Sequence, residues 1–489
     1  MFEKKSNINT LMVVRVIGWL LMIEAIFMIF PFGISLYFHE FDCAKSFFFS
    51  MLITFSLGAF TSHSIHPKRM DMHRKEGFLL TSLVWIVFSI FGMLPFLFSG
   101  TIDNITDAFY ETMAGFTTTG STIFLDVETL PKGILLWRSL MQWIGGMGII
   151  LFTLAVIPML NKSGGVQLFN AEVTGITHDK LRPRVSQTAI GLWGVYIGMT
   201  ILMSIALIIS PMDWFDSICH TMACVSTGGF STKNDSIGFW DSRYIDSVVI
   251  VFMFLGGINF SLIYNAINGK FKSLLSNEVL RWYVFLCFAG TLICFADLYF
   301  RGENQNIVDC LVDSLFHIVA TITTTGFSVE SYSWCQFSII ILIMLMISCA
   351  CAGSTSGGLK IDRILVMFKN VKNEFSKALH PNLVTSVRLN GKVVPYAHVQ
   401  RVIAFLVIFS LILLVSTTIM TMFDIDVFES FFLSLSSLCN VGYGSNLFDG
   451  GTFVELPMGI KWLLAFDMLI GRLELFTVLI LFTKGFWIK

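Results

Sequence analysis

Charge is what this sequence most lacks. Asp, Glu, Lys and Arg make up 13% of its 489 residues, about half the share of a soluble domain. Proline is scarce too, at 10 residues against 49 Phe, which excludes a disordered or collagen-like chain. The net charge of −1 excludes a basic nucleic-acid-binding arm. The ten cysteines are scattered, with no C-x-x-C and no Cys/His ligand spacing, so buried thiols are expected rather than metal ligands. No Walker A sequence is present, and no H-E-x-x-H, G-x-S-x-G or paired catalytic motif. Neither ATP hydrolysis nor any other enzyme chemistry is therefore expected of this chain.

What is present is apolar: 55% of the residues are hydrophobic. A bilayer-spanning helix needs about 20 mainly apolar residues. Ten stretches qualify, near 11–30, 47–62, 77–99, 134–160, 187–209, 244–267, 281–300, 337–352, 400–422 and 458–486. The stretch at 337–352 is short and runs into Gly353, Ser354, Thr355, Ser356, Gly357 and Gly358. Irregular backbone at membrane depth survives only where protein buries it or water bathes it, so this span is read as a broken helix. No small-residue cleavage site follows the first apolar run, and a retained helix is expected there.

The small net charge hides a strong asymmetry. Connections 61–76, 161–185, 268–281 and 360–401 hold 19 basic and 7 acidic residues, whereas the opposite set holds 6 basic and 20 acidic. The positive-inside rule makes the first set cytoplasmic. With an even number of spans, both termini then lie inside.

The acidic connections contain a fourfold internal repeat. The segments are DAFYETMAGFTTTGST from Asp107, DSICHTMACVSTGGFS from Asp216, DSLFHIVATITTTGFS from Asp313 and ESFFLSLSSLCNVGYG from Glu429. Aligned on Gly120, Gly229, Gly326 and Gly442, each carries an acid thirteen residues upstream without a gap. About ten apolar or small residues lie between, too few to cross a bilayer but enough for a re-entrant half-helix. The acids are read as helix caps, with cation attraction a lesser role. His220 and His317, at equivalent positions, are read as packing residues.

Each half-helix sits between two full spans. The predicted fold is thus an all-α polytopic membrane protein of four M1-P-M2 units (helix, re-entrant pore helix, filter loop, helix) in pseudo-fourfold arrangement. Residues 1–76 form an extra N-terminal helix pair. The units are 77–185, 186–280, 281–398 and 399–489, the third carrying the Gly/Ser-rich loop 353–358 and a basic cytoplasmic connection. A half-helix starting outside points its negative C-terminal end into the membrane, which favours a cation. Glycine lets the following loop aim successive carbonyls at one axis, and four such loops can replace the hydration shell of a monovalent cation. The candidate filter residues are Thr118, Thr119 and Gly120; Thr227, Gly228 and Gly229; Thr324, Thr325 and Gly326; and Asn440, Val441 and Gly442. The last loop, N-V-G-Y-G, differs from the potassium-channel T-V-G-Y-G at its first residue.

These loops resemble those of the Trk/Ktr/HKT superfamily of potassium transporters, and the two additional N-terminal helices resemble its TrkH-type subunits. The likeness extends to Q-W-I-G-G-M-G at 142–148, G-G-I-N-F at 256–260, C-A-G-S-T-S-G-G-L-K at 351–360 and G-R-L-E at 471–474. It implies a pseudo-fourfold pore, a homodimer, and potassium bound in the filter as the transported ion, since all four key positions are glycine. It also implies an intramembrane gate at Gly353–Gly358 with Lys360, and a place for Arg472 in the pore constriction. Asp467 or Glu474 could neutralise Arg472, in which case it belongs to a structural ion pair instead. No organic cofactor is expected. The implied partners are membrane lipid and a cytosolic TrkA-like nucleotide-binding regulatory subunit, with no nucleic acid. Lys369, Lys372, Lys377, Arg388 and Lys392 could dock that subunit or simply form a solvated positive-inside loop. The expected setting is the cytoplasmic (inner) membrane. A channel and a symporter coupled to protons or sodium both remain open, because Glu24, Asp246 and Asp467 are isolated acids rather than a relay.

Overall fold

The structure, a computed structural model, describes residues 8–67, 72–146, 148, 185–301, 306–329, 334–444 and 453–487. The inner end of the 134–160 span, most of the 161–185 connection and both chain ends lie outside these residues.

Among the described residues six helices are long and apolar enough to cross a membrane: Thr10–Tyr37, Phe41–Ser64, Arg74–Ser99, Ile190–Ile208, Glu278–Arg301 and Tyr396–Thr421. These are the N-terminal pair and the first, outer helix of each repeat. Among the described residues, the second, inner helix is interrupted in three of the repeats. The first is helical over Lys132–Gly146. The second bends by 103° between Arg243–Gly256 and Phe260–Ile267. The third stops at Ser348 and resumes at Ile361, while the fourth stops at Arg472 and resumes at Phe476. Reading 244–267 and 458–486 as continuous spans is thus corrected, since an apolar run records burial but not the path of the backbone.

Glycine explains where the inner helices come close to the half-helices. A Cβ on Gly145 would lie 1.8 Å from the carbonyl oxygen of Phe116, and one on Gly471 would lie 2.1 Å from that of Leu438. Only glycine lets the two backbones touch at the end of the half-helix. In the second unit the glycine pair does more than pack, because Gly256 and Gly257 stand at the 103° bend.

The N-terminal pair braces the first inner helix. Glu40 accepts hydrogen bonds from the backbone N–H groups of Lys132 (2.8 Å) and Gly133 (3.2 Å), placing an anion on the positive end of that helix. The fold is not wholly helical. Two short strands, Arg388–Leu389 and Lys392–Val393, pair antiparallel around Asn390 and Gly391, both at positive φ. Asn-Gly is the sequence that favours a type I′ hairpin turn. All ten cysteines are free thiols, nine of them buried and Cys335 partly exposed.

Candidate functional site

The four repeat segments fold as half-helices: Ile105–Phe116, Trp214–Val225, Ile307–Ile322 and Val427–Cys439. At 1.5 Å per residue a 12-residue helix rises about 18 Å, well short of the ~30 Å hydrocarbon core. Their caps are not the aligned acids. Asn104, Asp213, Asn306 and Asp426 are the N-caps, each accepting from a backbone N–H two residues on, at 2.9 to 3.3 Å. Asp107, Asp216 and Glu429 stand third in their helices, whereas Asp313 stands seventh because its helix begins one turn earlier.

The acids serve mainly to join elements. Asp107 meets Lys461 of the fourth inner helix at 2.7 Å, and Asp313 meets Arg243 of the second. Asp216 accepts from Thr232 at 2.8 Å. Two of the four negative charges expected to attract cations are therefore paired with basic side chains. His220 is a buried structural residue, bonded to the Asp216 carbonyl (2.8 Å) and the Ser231 hydroxyl (2.9 Å), and His317 packs edge-on against Trp334.

After each half-helix the backbone takes the same unusual path. Thr118, Thr227, Thr324 and Asn440 have φ of 55°, 55°, 59° and 56°, and Gly120, Gly229, Gly326 and Gly442 have φ of 82°, 81°, 75° and 79°. Left-handed backbone at a threonine costs about 1–3 kcal/mol and persists only where the surroundings impose it. The loop N–H groups turn back onto the end of their own half-helix. Thr119, Gly228, Thr325 and Val441 donate to Ala114, Ala223, Ala320 and Ser436 at 2.8 to 2.9 Å.

The carbonyls behave differently. Of the twelve oxygens of residues 118–120, 227–229, 324–326 and 440–442, eleven accept no hydrogen bond among the described residues. The exception is Gly228, whose oxygen accepts from the Gln142 amide at 2.7 Å.

The loops also form a closed cycle. A Cβ on Gly120 would lie 2.0 Å from the Gly228 oxygen, on Gly229 1.9 Å from Thr325, on Gly326 2.2 Å from Val441, and on Gly442 2.1 Å from Thr119. Each glycine thus abuts a carbonyl of the next loop, and the fourth abuts the first. Side chains brace this ring: Asn440 donates to the Thr119 hydroxyl (2.9 Å) and the Met468 carbonyl (3.0 Å).

A buried ion pair that sequence reasoning missed joins the first half-helix to the first inner helix and ties together the segments just beyond the first two loops. Arg138 Nε meets Glu111 at 2.8 Å, with both side chains almost fully buried. Arg138 also reaches the Ser231 carbonyl (3.1 Å) and the Thr122 hydroxyl (3.0 Å), and Glu111 accepts from the Ile123 N–H (3.0 Å). The available signal was an arginine within an apolar span. The same two segments are tied again by Asn234, which donates to Asp126 at 2.9 Å and accepts from the Val127 N–H at 2.9 Å. The Asn234 amide holds the exposed Asp126 carboxyl below its ordinary pKa.

The break in the third inner helix brings residues 353–358 against the second and fourth units and against the filter-candidate loop of their own unit. The Gly357 N–H donates to the Thr324 hydroxyl (2.9 Å). Thr355 donates from its hydroxyl to Val225 and Gly256 carbonyls (3.3 and 3.2 Å), and a Cβ on Gly357 would lie 2.3 Å from the Cys439 oxygen. Ser354 and Ser356 share a hydroxyl hydrogen bond of 2.9 Å. Lys360, itself buried at positive φ, donates to Ser356.

Arg472 reaches the same loop from the fourth unit. It donates to the Thr355 carbonyl (2.7 Å) and to the carbonyls of Gly145 (2.8 Å) and Gly146 (3.0 Å) at the end of the first inner helix. A helix C-terminus carries partial negative charge and unpaired carbonyls, which is how a guanidinium is held at this depth. The two acids expected as partners are engaged elsewhere: Asp467 accepts from Ser416 (3.0 Å) and Glu474 from Arg363.

In the basic connection, Lys369 pairs with Glu278, and Lys377 pairs with Glu374 at 2.8 Å. Part of its charge is thus spent on holding the hairpin and its helix in place.

Comparison with known proteins closes the assignment. The family model TrkH, described as a cation transport protein, matches residues 43–486. The chain is 34% identical over 479 residues to the Trk system potassium uptake protein TrkH of Escherichia coli K12, covering 97% of this chain and 99% of that one. It is 32% identical over 481 residues to the protein of the same name from Halomonas elongata, covering 98% and 99%. The crystal structure of the potassium transporter TrkH from Vibrio parahaemolyticus matches with a TM-score of 0.89 at 30% identity, covering 98% of this chain and 100% of that one. A mostly helical, multi-pass membrane architecture and these full-length likenesses together establish that the chain belongs to the TrkH family of cation transport proteins.

Proposed function

We propose that this protein takes up potassium across the cytoplasmic membrane through a channel-like pore whose selectivity filter is the cycle of four loops. The observation that carries this reading is the set of eleven loop carbonyl oxygens, on residues that are buried or only partly exposed, without a hydrogen bond among the described residues. Buried carbonyls are nearly always paired, and a dehydrated monovalent cation is the partner that a ring of them accepts. The relatives are named for potassium uptake, and all four loops keep glycine where a side chain would displace the neighbouring carbonyl.

In this reading the chain is four M1-P-M2 units, at 77–185, 186–280, 281–398 and 399–489, around one axis, with residues 1–76 outside them. Gly353–Gly358 with Lys360 form the gate beneath the filter, and Arg472 latches it by bridging Thr355 to the first inner helix. A fixed positive charge there opposes a passing cation, so opening requires Arg472 to release at least one carbonyl. The membrane potential supplies about 2.3 kcal/mol per charge per 100 mV, enough to drive uptake without ATP hydrolysis by this chain. Two copies form a homodimer, both termini face the cytoplasm, and a cytosolic TrkA-like subunit docks on the basic connection at 360–401.

A potassium symporter coupled to protons or sodium is the rival reading. It rests on Glu24, whose two oxygens are buried without a hydrogen-bond partner, and on Asp467, where one oxygen is so placed. Cation flux and reversal potential of the purified protein in liposomes decide between them. A channel follows the potassium gradient alone, and a carrier shifts with pH or sodium. In the same assay Gly120→Ser should weaken discrimination of potassium from sodium. Unchanged selectivity would remove the first loop from the filter.

A further inference from the structure

The second filter loop is built differently from the first and third. At its middle position, Thr119 and Thr325 each share a hydroxyl hydrogen bond with Thr117 and Thr323, at 2.8 Å in both cases. The second loop has Gly228 there, and Ser226 stands in place of the bracing threonine, its hydroxyl on the Ala223 carbonyl at 3.0 Å. Gly228–Gly229 is the one Gly-Gly peptide among the four filter loops, and a peptide flanked by two glycines rotates most freely.

The space left by the missing side chain is occupied. A Cβ on Gly228 would fall 2.4 Å from Gln142 Cδ, 2.6 Å from its Oε1 and 2.9 Å from its Cγ. Gln142 belongs to the first inner helix and is fully buried. Its Nε2 donates to the Gly228 carbonyl at 2.7 Å, and its Oε1 accepts from the Phe230 N–H at 3.1 Å. A neutral amide provides a donor and an acceptor at once, on two atoms of one planar group. Counted three residues before the recurrent inner-helix glycine, the equivalents in the other units are Met253, Ala350 and Met468, all apolar.

We infer that Gln142 is a specificity-determining positioning residue: it replaces, from a neighbouring unit, the side chain that Gly228 lacks, and holds the Gly228 carbonyl in register with the other three loops. This rests on the reading of the loops as a selectivity filter. Among the described residues, it makes the second loop the only one whose middle carbonyl is held by a residue outside its own unit. Removing the amide frees the Gly228–Gly229 peptide, so the loss appears in ion discrimination before it appears in folding.

The test is the potassium-to-sodium permeability ratio of the full chain in liposomes, with folded protein matched by size-exclusion profile. Gln142→Met keeps the volume and matches the residue type of two other units. It should lower the ratio about tenfold, the equivalent of one net hydrogen bond near the upper end of the usual range. Gly228→Thr alone should collide with Gln142 and lose flux. The double variant Gln142→Ala with Gly228→Thr, which rebuilds the arrangement of the first and third loops over Ser226, should regain a ratio within about threefold of the parent. A Gln142→Met protein with the parental ratio overturns the inference. If Gln142→Met does not fold, a double variant no better than either single change overturns it. Gly120→Ser is the control: if it too leaves the ratio unchanged, the filter reading has failed, whereas a change there with none for Gln142→Met fails this inference alone.

Discussion

The four loops proposed as the filter share one backbone, whereas the inner helices that stand beside them follow different paths. In the loops, the left-handed residues repeat within a few degrees from unit to unit. In the inner helices, one is helical to Gly146, one bends by 103°, one opens into the loop that precedes Ile361, and one stops at Arg472. Coordination of a single ion from all sides requires equivalent oxygens, and repeated glycines deliver them. A gate requires the opposite, a single element able to move against fixed neighbours. In the proposed reading, the repeated segments are alike where an ion would be held and differ beside it.

That contrast can be broken most severely at the buried pair that joins the first two loops. Arg138→Met leaves Glu111 buried and unpaired, which should cost about 3–5 kcal/mol. Thermal unfolding in detergent should show a large drop, and a parental melting temperature would mean that Glu111 is not relying on Arg138. The next test asks whether the loops are truly equivalent. Gly442→Ser places a side chain against the Thr119 carbonyl just as Gly120→Ser does against Gly228, and each should reduce potassium-to-sodium discrimination about tenfold, taking one displaced carbonyl as worth about one hydrogen bond. Effects confined to one loop would show the symmetry to be of backbone only.

Smaller effects probe the asymmetric side. Arg472→Ala should raise flux or leak several-fold by removing three carbonyl contacts, a scale set by hydrogen bonds to a charged group at about 1.5–3 kcal/mol shared with gate opening. A fall in flux together with protein yield would make Arg472 a structural member instead. Smallest of all, Asn104→Ala removes a helix cap and should cost about 1 kcal/mol of stability, with ion selectivity unaltered. A selectivity change there would mean that the half-helix start and the filter are mechanically coupled.

Much of this site was legible because repetition is visible without coordinates. Four segments with an acid thirteen residues before a glycine located the half-helices and the loops of repeated backbone that follow them. Apolar runs likewise marked the outer helices, whose length alone determines that they cross. The acids were misjudged as caps because capping depends on where the first turn begins. Asn104, Asp213, Asn306 and Asp426 hold that place, and the third helix starts a turn early. The partners of Arg472 were misjudged for a related reason: side-chain acids can be read from a sequence, but exposed backbone carbonyls at a helix end cannot.

By itself, then, the sequence determined the membrane class, the number of repeats and the chemistry of the loops, since hydropathy, glycine and hydroxyl spacing are properties of the chain taken locally. Only the tertiary structure decided which loop abuts which, that Gln142 of one unit fills the vacancy at Gly228 of another, and that Arg472 reaches Thr355, Gly145 and Gly146. These contacts join residues from 86 to 327 positions apart. Their geometry is set by how segments distant in sequence pack together, which no local pattern encodes.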